Sequence, residues 1–237
     1  MNILRKFHNI VLAQSTAILF FLVSSPLYAQ GDDVDPFIEM NRNIYSFNQD
    51  FDDILFKPVT QAYNAVMPDF AKIGVGNFFR NLDDINVVVN DLLQLKMGNA
   101  AHDSGRFVLN STVGIVGLVD VATRFGLYKN NEDFGQTLGY WGVPSGPYLM
   151  LPIIGTSTLR DAVGLIPDYM LNPVFWVDDD EARFFLYALD NIDRRLFYMA
   201  AESMIDGDEY LFVRDAYLQR REYLVNDGAV MDEWDEF

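Results

Sequence analysis

The chain has 237 residues, half of them hydrophobic and 14% aromatic, with 17 basic and 34 acidic side chains, a formal net charge of −17 and no cysteine. Such acidity argues against nucleic acid as a partner and against electrostatic docking on anionic lipid, while the missing thiols exclude disulfides, thiolate metal sites and cysteine nucleophiles. Acidic disordered chains are poor in aromatics, whereas 19 Phe stand here, so the expectation is a folded protein whose apolar and charged faces are segregated.

The first 29 residues have the three parts of a secretory signal. Arg5 and Lys6 form a basic start, Ala17–Val23 an uncharged apolar run, and Ser24-Ser25-Pro26 a helix break before the small residue Ala29. Cleavage is expected between Ala29 and Gln30. An uncleaved anchor is the alternative; the break at Pro26 and the acidic run after it favour cleavage. Processing removes both cations and no acid, so the mature protein is more acidic still. The reading expects one domain over residues 30–226 and an acidic tail over 227–237. With no cysteine to acylate, it expects export without lipoprotein modification.

From Phe37 a helical stripe runs through Met40, Ile44, Phe47, Phe51 and Leu55, with Glu39, Arg42, Gln49, Asp50, Asp52 and Asp53 opposite. Asp35-Pro36 reads as its start and Lys57-Pro58 as its end. A short helix is predicted over 59–66, stopped by Pro68, and a longer one over about 77–96 with Phe78, Leu82, Ile85, Val89, Leu92 and Leu95 on one face, closed by Gly98. Residues 101–124 read as a helix interrupted by Gly114 and Gly117.

Phe134 to Leu159 carries no charge and is long enough to cross a bilayer. Its glycines and Pro144, Pro147 and Pro152 are incompatible with a continuous helix facing lipid, because freed backbone groups would lack partners. The segment is irregular backbone packed in protein or lining a polar cavity, or else a buried turn-rich loop of a soluble core. Residues 162–177 are apolar and broken at Pro167 and Pro173. Asp178–Glu181 then caps an amphipathic helix carrying Phe185, Leu189, Ile192, Leu196 and Met199, and a last helix is predicted over 208–225. No strand pair is evident. The class is mainly α.

Catalytic chemistry is missing. After cleavage His102 is the one remaining histidine, no G-x-S-x-G or Walker A run occurs, and Gly74-Val75-Gly76 lacks the third glycine of a dinucleotide loop. The acidic clusters at 178–181 and 206–209 sit at predicted helix starts and lack EF-hand spacing. No enzyme, metal or cofactor is expected.

Several motifs in order carry a resemblance. They are Asp35-Pro36-Phe37 with Asn41-Arg42, Tyr45 and Phe47-Asn48; Asn77-Phe78 with Asn81-Leu82; Asn90 with Leu92-Leu93-Gln94; and Arg106-Phe107 with Asn110-Ser111-Thr112, Gly114, Gly117 and Asp120. The most specific is the run from Asp133 to Val143, continuing through Gly146-Pro147-Tyr148 to Pro152, Gly155 and Arg160-Asp161; Arg214-Asp215-Ala216-Tyr217 closes the series. Together, over about 35–226, they resemble the MlaA (VacJ) family of outer-membrane phospholipid-trafficking proteins.

The resemblance implies a ring-like bundle of amphipathic helices around a central channel, seated in the periplasmic leaflet of the Gram-negative outer membrane. It implies association with a trimeric porin and transfer of phospholipid from the outer leaflet to a periplasmic carrier protein. Under it, Phe47, Asn48, Asn110, Tyr140 and Trp141 border the lipid path, and Gly139, Gly142, Pro144, Gly146 and Pro147 form a gate. Apolar stripes backed by acidic faces suit lipid outside and water or headgroups inside. A scaffold that binds porins without moving lipid, and a soluble periplasmic lipid carrier, are the alternatives. Many family members carry the acylated cysteine that is missing here, so retention is expected to rest on the fold and a partner.

Overall fold

The computed structural model describes residues 34–199 and 207–228. The signal segment, its expected cleavage site at Ala29 and Gln30, and most of the acidic tail lie outside the described residues.

Helix α1 (Ile38–Phe51) continues through a π turn (Asp52–Phe56) into α2 (Lys57–Val66). Pro58 therefore does not end the first helix as expected. Proline in a helix lacks an N–H and its ring clashes with the carbonyl four residues back. The wide turn ahead of it, in which the Lys57 N–H bonds to the Asp52 carbonyl, displaces that carbonyl and lets the helix run on. The start also differs. Phe37 occupies the cap position without a side-chain bond, and the Asp35 carboxylate is instead buried, accepting from Asn41 and from the Tyr210 hydroxyl.

Helix α3 (Asp69–Leu93) begins eight residues before the predicted start, directly after Pro68, whose extended ψ turns the chain. It ends not at Gly98 but where Leu95 adopts a φ of 61°; Gly98 lies in the first turn of α4 (Met97–Thr112). The expected continuation to residue 124 is replaced by tight turns over 113–118 and a 3₁₀ turn over Ala122–Phe125. A Cβ on Gly114 would stand 2.2 Å from the Val119 carbonyl oxygen, so the chain doubles back at a point that only glycine permits.

The uncharged stretch folds as α5 (Phe134–Tyr140), an exposed loop over 141–146, and a hairpin of β1 (Tyr148–Leu151) and β2 (Gly155–Thr158), paired antiparallel from Tyr148–Thr158 to Leu151–Gly155. This strand pair was not evident from the sequence. Four-residue strands give too short a window for an alternating pattern, and Pro152 and Gly155 punctuate the run. Then follow α6 (Leu159–Leu171), with Pro167 inside it, a 3₁₀ turn (Pro173–Trp176), α7 (Asp180–Met199) and α8 (Glu209–Val225). Asp179 caps α7 and Asp208 caps α8, as the acidic clusters led one to expect.

Helix α3 is the central element, packing on α4, α5, α6 and α7. A small apolar cluster of Tyr148, Met150 and Tyr210 joins the hairpin to α1 and α8, with Ile44, Tyr45, Tyr217 and Leu218 around it. Among the described residues no third strand pairs with the outer edge of β1. Two asparagines seven apart on α1 take its place: Asn41 Oδ1 accepts the Met150 N–H at 2.8 Å, and Asn48 Oδ1 accepts the Ile153 N–H at 2.7 Å.

Candidate functional site: a polar interior inside an apolar shell

The distribution of side chains is the reverse of an ordinary soluble domain. Among the described residues, more polar and charged side chains are buried than apolar ones, while the exposed set is rich in Phe, Ile, Leu, Val and Trp. Ile54, Val66, Phe70 and Phe197 are each more than three-quarters exposed. Buried polar groups and exposed large apolar surface are the two departures that carry information about function. On α3 the predicted apolar stripe faces outwards at Leu92, with Leu95 exposed just beyond the helix, and the buried stripe is Asn81, Asp84 and Asp91, with Gln94 at the C-cap, at helical spacing.

Three polar clusters fill the interior. In the first, Arg106 on α4 lies 3.3 Å from Asp84 and donates to Asp120 at 2.8 Å, to Thr123 Oγ1 at 2.9 Å and to the Leu127 carbonyl at 2.7 Å. Lys129 reaches Asp84 at 2.6 Å and Asp83 at 3.1 Å. Burial pushes the Asp84 carboxyl up although Lys129 and Arg106 pull against it. Burial also opposes ionisation of Asp120, but donors from Thr123 and Arg106 prevail and hold it down at about 2.

In the second cluster, Gln94 donates to Glu132 at 2.8 Å and to Thr137 Oγ1 at 3.0 Å, Thr137 donates to Asn90 at 2.8 Å, and Lys96 pairs with Glu132 at 3.0 Å. Asp91 beside them is 0% exposed, and its carboxylate oxygens receive no N–H donor among the described residues. Burial, together with the neighbouring Asp103, pushes its carboxyl up to about 7. Asp103 is in turn held by Asn130 at 2.8 Å and contacts His102 Nδ1 at 3.1 Å.

The third cluster locks the last helix to the glycine-rich segment. Arg221 on α8 donates to Asp133 at 3.0 Å and, from two nitrogens, to Asp161 at 2.9 Å; the Tyr217 hydroxyl donates to Asp161 at 2.8 Å. Burial opposes charge on both acids, but the Arg221 guanidinium holds them below the usual carboxylate range. The helices approach closely because there is no side chain between them. A Cβ on Gly135 would stand 2.5 Å from Asp161 Oδ1, and one on Gly164 would stand 2.6 Å from the Gly135 nitrogen.

The residues named from the sequence do not gather at one point. Phe47 is half-exposed and stacks on Phe51 with ring centroids 6.2 Å apart. Asn48 clamps the hairpin turn, and Asn110 is buried, with Oδ1 accepting the Val121 and Ala122 N–H groups at 2.8 and 2.9 Å. Tyr140 lies over Lys96, and Trp141 donates to the Leu93 carbonyl at 3.2 Å; both rings are about half-exposed. Gly139 is a close-packing position, 2.8 Å from Val225 Cγ1 were it to carry a Cβ. Gly142, Pro144, Gly146 and Pro147 belong to the loop before β1, where Gly142 and Gly146 have φ of 86° and 68°. That loop is pinned at its base by bonds from Val143 N to the Leu138 carbonyl and from Arg160 N to the Ser145 carbonyl.

The sequence reading took the apolar face of α3 as its packing face and missed the buried stripe of Asn81, Asp84, Asp91 and Gln94, because polar stripes ordinarily face water. Among the described residues no group of histidines and carboxylates could hold a metal ion, and no helix is long and apolar enough to cross a membrane.

Buried polar clusters beneath exposed large apolar side chains define a class of mainly helical protein with an apolar interaction surface. The family comparison is specific: the model of the MlaA lipoprotein family matches residues 33–224. The chain belongs to that family. It is 33% identical to the intermembrane phospholipid transport system lipoprotein MlaA of Escherichia coli K12, over 92% of this chain and 89% of that protein, and equally to its counterpart from Shigella flexneri. An uncharacterized protein of Rickettsia prowazekii is 34% identical over 79% of this chain and 76% of its own. Among solved structures, one described as the structural basis for maintenance of bacterial outer membrane lipid asymmetry matches with a TM-score of 0.72 and 31% identity, covering 81% of this chain and 99% of the other. The mainly helical class expected from the sequence agrees with this.

Proposed function

We propose that this protein extracts phospholipid from the outer leaflet of the outer membrane and passes it towards the periplasm, so maintaining lipid asymmetry. The reversed burial pattern carries the reading. Moving a two-chain lipid through water forfeits about 0.8 kcal/mol per CH₂, on the order of 20 kcal/mol or more for two long chains. A protein without an energy source lowers that cost by presenting apolar surface to the tails and polar groups to the headgroup. Exposed apolar side chains on α1, α2 and α7 supply the first, and the acids, amides and arginines around α3 supply the second. The names of the Escherichia coli and Shigella relatives support phospholipid transport.

Within this proposal the helices form a ring around a channel in the periplasmic leaflet, held there by their apolar surface and by a trimeric porin, and a periplasmic carrier receives the lipid. Phe47, Asn48, Asn110, Tyr140 and Trp141 border the path, and the exposed loop carrying Gly142, Pro144, Gly146 and Pro147, with Gly139 at its base, gates it. The test is deletion of the gene followed by assay of phospholipid in the outer leaflet. Accumulation reversed by the wild-type gene is expected; unchanged asymmetry would overturn the proposal.

A further inference from the structure

Between α3, the segment around Lys129 and α7 lies a cavity of about 390 Å³, within the size range of small-ligand sites. Its walls hold both signs of charge, and most of that charge is already spent. Lys129 is paired with Asp83 and Asp84, and Arg194 donates to both oxygens of Asp190 at 3.1 Å. Two groups are left over. The Arg80 guanidinium makes one hydrogen bond, from Nη2 to Asn77 Oδ1 at 2.7 Å, and no ion pair among the described residues. The Asp193 carboxylate has neither a hydrogen bond nor an ion pair there, and burial pushes it up although Arg80 and Arg194 pull against this.

The two groups are brought together by the one residue that has no side chain. A Cβ on Gly76 would stand 2.8 Å from Asp193 Oδ2 and 3.3 Å from Arg80 Nη1, so both face the same small space. Next to them the exposed ring of Phe197 and the buried ring of Phe79 line the same cavity. A guanidinium with free donors beside a carboxylate that accepts no hydrogen bond among the described residues, with aromatic surface adjoining, is complementary to a phosphate and an ammonium joined by a short linker and attached to an apolar group.

We propose that this cavity binds the zwitterionic headgroup of an aminophospholipid, Arg80 donating to the phosphate and Asp193 accepting from the primary ammonium. The proposal rests on the transport reading for its physiological role and adds a headgroup preference to it. An anionic glycerol headgroup offers Arg80 the same phosphate but gives Asp193 no cation, so discrimination falls on Asp193 and overall affinity on Arg80.

The experiment uses the full chain in a nonionic detergent and measures binding of dihexanoyl phosphatidylethanolamine, dihexanoyl phosphatidylglycerol and free phosphoethanolamine by calorimetry. The wild type is expected to prefer the ethanolamine lipid roughly tenfold, from one charge-assisted hydrogen bond. Asp193→Asn or Asp193→Ser, whichever keeps the wild-type unfolding midpoint, levels the two lipids. Arg80→Gln weakens both by roughly tenfold, with Arg80→Lys recovering part of the loss. Equal affinities in the wild type, an unchanged ratio in the Asp193 variants, or unchanged affinities in Arg80→Gln would each overturn the proposal. Free phosphoethanolamine binding as tightly as the lipid would overturn the lipid as its source. These results are independent of the deletion assay: loss of asymmetry with no headgroup preference removes this site alone.

Discussion

The carboxamide of Asn48 closes the hairpin turn from outside, donating to the Leu151 carbonyl at 3.0 Å and accepting the Ile153 N–H at 2.7 Å. Ile153 sits there with a φ of 68°, a conformation that β-branched residues avoid. Asn48→Ala removes both bonds and leaves that strain unsupported. The expected loss of stability is about 1–3 kcal/mol, with faster amide exchange over residues 151–155. A loss under about 0.5 kcal/mol, within the range of neutral surface changes, would show that the turn holds itself.

Glycines in the uncharged segment serve different ends, and substitution separates them. Gly135→Ala drives a methyl against Asp161 Oδ1 and Arg221 Nη2, 2.5 and 2.7 Å from the Cβ position. Gly142→Ala meets nothing within 4 Å and suffers only from its φ of 86°. Chemical denaturation should place the first several kcal/mol below the wild type and the second only about 1–2 kcal/mol below it. Equal losses would mean that the α5–α6 contact can relax.

Arg221 is the common partner of Asp133 and Asp161. Arg221→Met takes away the cation shared by the buried Asp161, which keeps Arg160 and Tyr217, and the partly exposed Asp133, which keeps Gln136. The expected cost is about 1.5–3 kcal/mol, and adding Asp133→Asn and Asp161→Asn should recover part of it. Both acids are held below their usual range, so their contribution is present above the unfolded pKa and is lost as pH falls through the folded one. The single variant should accordingly show a weaker dependence of unfolding midpoint on pH below about 4, the remainder coming from acids such as Asp120 that do not touch Arg221.

Asp91 acts in the opposite sense. Its carboxyl is raised to about 7, so the folded state binds a proton more tightly than the unfolded chain. That stability is fully present below the unfolded carboxylate pKa and is lost as pH rises from there through about 7. Asp91→Asn keeps the shape without the charge. Its melting temperature should exceed the wild type's at pH 8, with a flatter profile between pH 5 and 8. Parallel profiles for the two proteins would show that Asp91 does not titrate in this range.

The apolar exterior predicts membrane association independent of charge. Replacing Phe184, Phe185 and Phe197 on α7, all exposed, by Ser should leave the unfolding midpoint nearly unchanged. Affinity for phospholipid vesicles should fall at least tenfold, since each Phe contributes roughly 1.5–3 kcal/mol when fully buried. Retained affinity would place the membrane face elsewhere.

Much of the helical plan was readable. The stripe Phe37–Leu55, the acidic caps of α7 and α8, and the stop at Pro68 rest on local rules, and these act within a few residues. What was misread has several causes. Pro58 lies within a helical run because the π turn ahead of it moves the clashing carbonyl, and the hairpin strands are too short to show alternation. Pro167 inside a helix, Gly98 in a first turn and Leu95 at a helix end show tertiary packing outweighing local propensity. For the candidate path, chain order offered no way to see that Asn110 is spent on residues 121–122, or that Arg80 and Asp193 meet over Gly76.

The sequence by itself determined that this is an acidic, cysteine-free, mainly helical chain with apolar and polar residues on opposite helix faces, because periodicity and composition are local properties. Which face would be buried was decided only in three dimensions. Periodicity is symmetric between inside and outside, and an aqueous protein would have turned the apolar stripe inwards. Here Asp84, Asp91 and Arg106 lie within and Leu92, Phe70 and Phe197 without. The reason is that buried charges need partners from several helices at once, and α3, α4, α5 and α8 supply them only when assembled.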